Sequence, residues 1–207
     1  MSRKREMERR ALRSASRRLV EAMARRNVSP FTLTYSAFGM ALLAAALLSL
    51  STSWELFVPI GGLVYVAAGL LDALDGEVAR KSGRVTAQGA YEDSVLDKFS
   101  EVAISIGLLL GPAGELEVLM FITGSLLVSY TRARAESLGV ELAGVGFAER
   151  AERTLGLFAG TLVHAIWKEG LNLALALVGV FSYATAFHRY VVTRKALAER
   201  EAASGRG

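Results

Sequence analysis

The chain has 207 residues, 52% of them apolar, and a mean hydropathy of +0.35. That composition excludes an ordinary soluble domain and points to a small polytopic membrane protein. The net charge of +4 is concentrated at a few places along the chain, and the absence of cysteine rules out a disulfide framework.

Residues 1–30 hold ten Lys or Arg, from Arg3 to Arg26, against Glu6, Glu8 and Glu21. The stretch is too long for a signal peptide, and no small-residue cleavage site follows the first apolar run. Basic segments beside a span face anionic headgroups more often than nucleic acid, so a bilayer surface is the expected partner. A surface helix over roughly 3–26 is predicted, with Leu12, Leu19, Val20 and Met23 as its apolar contacts.

Six transmembrane helices follow, near 31–51, 55–78, 89–111, 117–136, 150–167 and 171–191, each close to the roughly 20 residues that cross the hydrocarbon. The expected organisation is all-α: a basic juxtamembrane helix over 1–30, a six-span domain over 31–195 and a polar tail over 196–207. Of the 24 Lys and Arg, all but Lys98 and Lys168 fall on one side of this arrangement. The positive-inside rule makes that side cytoplasmic, with both termini inside a cytoplasmic-membrane protein. Trp54 and Trp167 fall at the opposite interface, where indole rings prefer to sit.

The ends of the second and third spans carry the stretch DALDGEVARKSGRVTAQGAYEDSVLD, Asp72 to Asp97. Carboxylates near lipid are costly and survive there mainly for function. Asp72 and Asp75 are three residues apart, and Asp93 and Asp97 are four apart, so each pair shares a helix face. Two such pairs facing each other offer oxygen ligands to a divalent cation. Gly76, Ala79 and Gly89 allow close approach of a ligand or a helix, and Arg80 supplies a fixed cation suited to a diphosphate. A cation transporter or channel would also use intramembrane acids. It would not account for the glycines, the alanine and the arginine, nor for acids at one face of the membrane instead of its middle.

A second set of charges flanks the fourth and fifth spans, in SYTRARAESLG and GFAERAERT. Arg132 and Arg134 end one span, Arg150 and Arg153 begin the next, and Arg194 closes the sixth on the same side. A phosphorylated small molecule in such a cavity needs cations to hold it; a neutral one does not.

The fixed positions Asp72, Asp75, Gly76, Ala79, Arg80, Gly89, Asp93 and Asp97 resemble the signature of the CDP-alcohol phosphotransferases (CDP-alcohol phosphatidyltransferases). The resemblance implies a CDP-linked lipid donor, an alcohol acceptor and CMP as leaving group. It also implies two Mg2+ or Mn2+ ions, one on Asp72, Asp75 and Asp93 and the other on Asp72, Asp93 and Asp97, with Asp97 as the base for the attacking hydroxyl. Gly76, Ala79, Arg80, Thr86, Gly89 and Thr34 would form the CDP-lipid site. Ala37 stands where the family often has Gly. The second charge cluster resembles the prokaryotic phosphatidylinositol-phosphate and archaetidylinositol-phosphate synthases. Myo-inositol phosphate is therefore the expected acceptor, with glycerol 3-phosphate the runner-up. Arg132, Arg153 and Arg194 would hold the acceptor phosphate, with Arg134 and Arg150 in reserve. A homodimer is implied by the family alone, and either diacylglycerol or an archaeal ether lipid would serve as the donor's tail.

Overall fold

The computed structural model describes residues 19–142 and 144–204. Within them every regular element is helical. A short helix over 19–25 leads into six long ones: α1 Pro30–Ser49, α2 Phe57–Ser82, α3 Ala87–Leu110, α4 Glu115–Ser137, α5 Arg150–His164 and α6 Gly170–Ser204. A single 3-10 turn, Leu50–Thr52, follows α1.

The boundaries have local causes. Pro30 occupies the first turn of α1, where its missing N–H costs nothing. Gly83 ends α2 in the left-handed region at φ 68°, a conformation that glycine adopts without a Cβ clash. Thr86 caps α3 by accepting a hydrogen bond from the Gly89 amide at 3.0 Å.

Helix α1 packs against both α2 and α3. Helix α6 packs against α4 and α5, and α5 also meets α2. Leu48, Tyr65, Ile104, Phe121, Leu157 and Leu175 lie in the central core. The α1–α3 crossing depends on Gly107, where a Cβ would lie 2.3 Å from the Ala45 carbonyl oxygen. Gly107→Ala is therefore expected to lower stability by about 1–3 kcal/mol. Gly39→Ala, with nothing within 4 Å of the added methyl, should leave it unchanged or higher. Thermal unfolding in detergent compares the two.

Much of the apolar surface faces outward. Leu63, Leu70, Leu110, Leu119 and Phe187 are all more than half exposed, an arrangement suited to lipid and a liability in water. Four helical segments are long and apolar enough to cross a membrane: Pro30–Thr52, Phe57–Ser82, Glu115–Ser137 and Gly170–Ala203. Six long helices are present, but the expected six spans are not confirmed, since four segments pass this test. Helix α3 carries the acidic motif at its start, and α5 has 15 residues.

Two boundaries differ from expectation. Helix α6 does not stop near 191 but continues to Ser204, so most of the predicted polar tail is helix. At 35 residues it is about 52 Å long, well beyond the ~30 Å hydrocarbon core. The N-terminal helix also differs. Val20 is buried against Leu33 and Val78, and Met23 packs on the same cluster, so these two side chains contact protein where a membrane surface was expected. Leu19 remains exposed; Leu12 and the rest of the basic segment to Arg18 lie outside the described residues.

Candidate active site

The four motif aspartates meet where the end of α2 faces the start of α3. Helical spacing puts Asp72 and Asp75 on one face of α2, and Asp93 and Asp97 on one face of α3. Carboxylate oxygens of Asp72, Asp75 and Asp93 lie within 4.8 Å of one another, a spacing that one divalent cation can bridge. Thr34, from α1, donates to Asp75 Oδ2 at 2.5 Å and fixes that carboxylate's orientation.

Asp97 is held differently. Its Oδ2 lies 3.0 Å from Lys98 Nζ, and its Oδ1 lies 2.5 Å from Arg150 Nε. The second contact is an ion pair without alignment, because Oδ1 is buried and accepts no hydrogen bond. The same Arg150 guanidinium donates to Asp72 Oδ2. Arg150 thus joins the two carboxylates that the motif would assign to a second ion, a position different from the reserve acceptor-phosphate role expected of it.

The donor set suits Mg2+ or Mn2+. All four ligand candidates are carboxylates, hard oxygen donors with no sulfur or imidazole among them. Asp97 Oδ1 is buried, paired with Arg150 Nε but without a hydrogen bond, an acceptor that a cation could also satisfy. Asp72, Asp75, Asp93, Asp97 and Glu101 also outnumber the cations tied to them, Arg150, Lys98 and Arg153, leaving a formal excess of two negative charges to be balanced.

Two cavities meet at this cluster. One, of about 240 Å³, is lined by Thr34, Asp75, Gly76, Ala79, Arg80, Thr86, Gly89 and Asp93. Every residue expected of the CDP-lipid site is therefore in one cavity. Thr86 reaches it while its hydroxyl caps α3. Arg84 lines it too, a residue the sequence reading used only for orientation; its Nη2 donates to Asn27 Oδ1 at 2.9 Å.

The other cavity, of about 820 Å³, is lined by Asp93, Asp97, Lys98, Arg132, Arg150, Arg153 and Arg189, among others. Asp93 belongs to both. Arg132 sits at its edge, nearly half-exposed, with Nε donating to Glu136 at 2.8 Å. Arg153 is 3% exposed, with Nη2 on Glu101 Oε1 at 2.5 Å and Nη1 on the Ala148 carbonyl at 3.0 Å.

The expected grouping of arginines is corrected in one respect. Arg194 and Arg134 do not join Arg132 and Arg153; they line a separate groove between α4 and α6 with Tyr130 and Tyr190. The reason is helical geometry: Arg132 and Arg134 are two residues apart, hence about 200° apart around α4. In their place stands Arg189, 2% exposed, which donates to the carbonyls of Val145 at 2.8 Å and Val128 at 2.9 Å. His164 Nδ1 lies 2.8 Å from the Lys168 carbonyl, and His188 stacks on Phe147. Glu92 accepts from Tyr35 and Gln88.

A family model for CDP-alcohol phosphatidyltransferase matches residues 27–186. The chain is 45% identical over 127 residues to the archaetidylinositol phosphate synthase of Methanothermobacter thermautotrophicus, a match spanning 59% of this chain and 65% of the relative, just under two thirds of its length. It is 32% identical over 184 residues to the archaetidylinositol phosphate synthase of Pyrococcus horikoshii, spanning 87% of this chain and 91% of that one. Among solved structures, the phosphatidylinositol phosphate synthase of Mycobacterium tuberculosis superposes with a TM-score of 0.74 over 86% of this chain. This holds both with CDP-DAG bound (27% identity, 92% of that chain) and in complex with manganese and citrate (26% identity, 88% of that chain). The acidic cluster, the cavity that gathers the residues expected of the CDP-lipid site and these similarities agree: the chain belongs to the CDP-alcohol phosphatidyltransferase family.

Proposed function

We propose that this protein transfers the lipid phosphoryl group of a CDP-linked lipid to a hydroxyl of myo-inositol phosphate, releasing CMP. The observation that carries this reading is the meeting of two cavities at Asp93, one lined by every residue expected of the CDP-lipid site and the other by arginines. The archaetidylinositol and phosphatidylinositol phosphate synthases it resembles support the acceptor, and the neighbour with CDP-DAG bound supports the donor.

In this reading Arg80, with the open backbone around Gly76, Ala79 and Gly89, binds the CDP diphosphate in the smaller cavity. Asp72, Asp75 and Asp93 would hold one Mg2+ or Mn2+, and Asp72, Asp93 and Asp97 a second. Bound there, the ions neutralise charge on the diphosphate. Arg132 and Arg153 hold the acceptor's phosphate and orient its hydroxyl towards the shared wall at Asp93. Asp97, which lines the larger cavity, takes the hydroxyl proton. The acceptor oxygen bonds to the lipid-side phosphorus, the bond from that phosphorus to the bridging oxygen breaks, and CMP leaves with the electron pair. Arg194 and Arg134, in the separate groove, are assigned no acceptor contact.

The same reading makes α3 and α5 the third and fifth spans, completing six with the four more apolar helices. The basic residues place both termini and the active site on the cytoplasmic side of the cell membrane, and the protein works as a homodimer.

Acceptor kinetics test the phosphate-binding role. Loss of a hydrogen bond to a charged group costs about 1.5–3 kcal/mol, so Arg132→Ala should raise the acceptor KM about 10- to 100-fold and leave the donor KM unchanged. An equal change in both would remove Arg132 from the acceptor site. The exposed Arg132–Glu136 pair contributes little to folding, so the melting temperature should hardly move.

A further inference from the structure

Glu101 is the most completely buried acid among the described residues, at 1% exposure on α3. The reaction as described gives it no task. A lone carboxylate inside an apolar helix is costly, and a buried ion pair is seldom more stabilising than the apolar side chains that could replace it. Its contacts indicate what it does.

Three elements converge on this carboxylate. Arg153 Nη2 from α5 donates to Oε1 at 2.5 Å. Lys98 Nζ, one helical turn away on α3, donates to Oε2 at 2.9 Å, and Ser125 Oγ from α4 donates to the same oxygen at 2.8 Å. Both cations line the larger cavity, and each has a second attachment. Lys98 Nζ is also 3.0 Å from Asp97 Oδ2. Arg153 Nη1 bonds the Ala148 carbonyl, just ahead of α5, while its Nε is buried without a partner. Nη1 and Nη2 each bond one partner inside the protein, which anchors the guanidinium in place.

We infer that Glu101 is a positioning residue for the acceptor site: it fixes the Arg153 guanidinium in the wall of the acceptor cavity, where its charge serves the acceptor's phosphate, and fixes Lys98 against Asp97. One buried carboxylate thereby sets the relative placement of the acceptor's anchor and the proton acceptor. This rests on the acceptor reading above. Glu101 touches no substrate in this role; it acts through Arg153 and Lys98.

Glu101→Gln keeps the side chain's size and removes its charge. The expected result, measured by CMP release with CDP-linked lipid and myo-inositol phosphate as probes, is an acceptor KM at least tenfold higher with the donor KM within twofold. A purely structural role would lower the amount of active protein, hence the apparent kcat, without separating the two KM values. Equal or unchanged KM values would overturn the inference. Should Glu101→Gln fail to fold, Glu101→Asp carries the same test. It keeps the charge but withdraws the oxygens, and is expected to raise the acceptor KM at least threefold with the donor KM unchanged; unchanged KM values there also overturn it. The wild-type arm separates the two readings. Wild-type saturation by the phosphorylated acceptor with no effect in the variant overturns only the Glu101 role, whereas no wild-type turnover with that acceptor overturns both.

Discussion

Asp97→Asn is expected to lower kcat by about 10³-fold, within the range that general-base catalysis supplies, while the protein still binds CDP-linked lipid. The donor cavity is lined by Asp75 and Asp93 and does not include Asp97, so the substitution leaves the donor's walls intact. Asn cannot take the hydroxyl proton, and it offers one acceptor oxygen where Asp97 offers two to Lys98, Arg150 and the acceptor. Rapid-quench measurement of CMP release, paired with equilibrium binding of the donor, separates these effects. Full turnover in Asp97→Asn would refute the base assignment. Loss of donor binding in step with turnover would instead make Asp97 part of the donor site.

Arg150→Gln is the second large expected effect, and it acts in opposite directions on metal-free stability and on Mn2+ affinity. Arg150 contacts both Asp72 and Asp97, the carboxylates assigned to the second ion. It acts as their counter-charge and competes with a cation for the same oxygens. One such pair at 4 Å is worth about 4 kcal/mol at an effective dielectric near 20. Losing about a third of that competition would tighten Mn2+ binding about tenfold. Without metal, the unpaired acids repel and the protein melts lower; added Mn2+ restores more stability than in the wild type. Titration of Mn2+ followed by electron paramagnetic resonance, with melting curves in chelator and in Mn2+, reads both quantities without relying on turnover. Unchanged or weaker Mn2+ affinity would mean that Arg150 does not compete for the site.

The donor site was legible in the sequence because it is local. Asp72, Asp75, Gly76, Ala79 and Arg80 lie within three turns of α2, and Thr86, Gly89 and Asp93 around the start of α3. Helical periodicity alone fixes which of them share a face. One short turn between the two helices then brings those faces together. The acceptor side was less legible because its partners are distant in the chain. Arg150 meets Asp72 across 78 positions, and Arg153 meets Glu101 across 52; neither pairing follows from local spacing. Some signals were present and went unused. The 200° between Arg132 and Arg134 already places them on different faces. Glu101, a carboxylate one turn beyond Asp97 in an apolar helix, has the same functional signature as the motif acids. Arg189 counted only towards orientation, although an arginine so far along an apolar helix needs buried acceptors. At the N-terminus, an apolar stripe of Val20 and Met23 has no feature that distinguishes a lipid surface from the groove beside Leu33 and Val78.

The central claim is that the two cavities bring a CDP-linked lipid and a phosphorylated polyol to the same carboxylates. The most direct measurement is to incubate purified protein with CDP-linked lipid, Mg2+ or Mn2+, and in turn myo-inositol phosphate, myo-inositol, glycerol 3-phosphate, serine and choline. Released CMP is quantified and the lipid product identified by mass. The account predicts CMP with myo-inositol phosphate above all others, and a lipid heavier by that phosphorylated polyol. No CMP with any acceptor, together with Mn2+ uptake into vesicles carrying the protein, would contradict it.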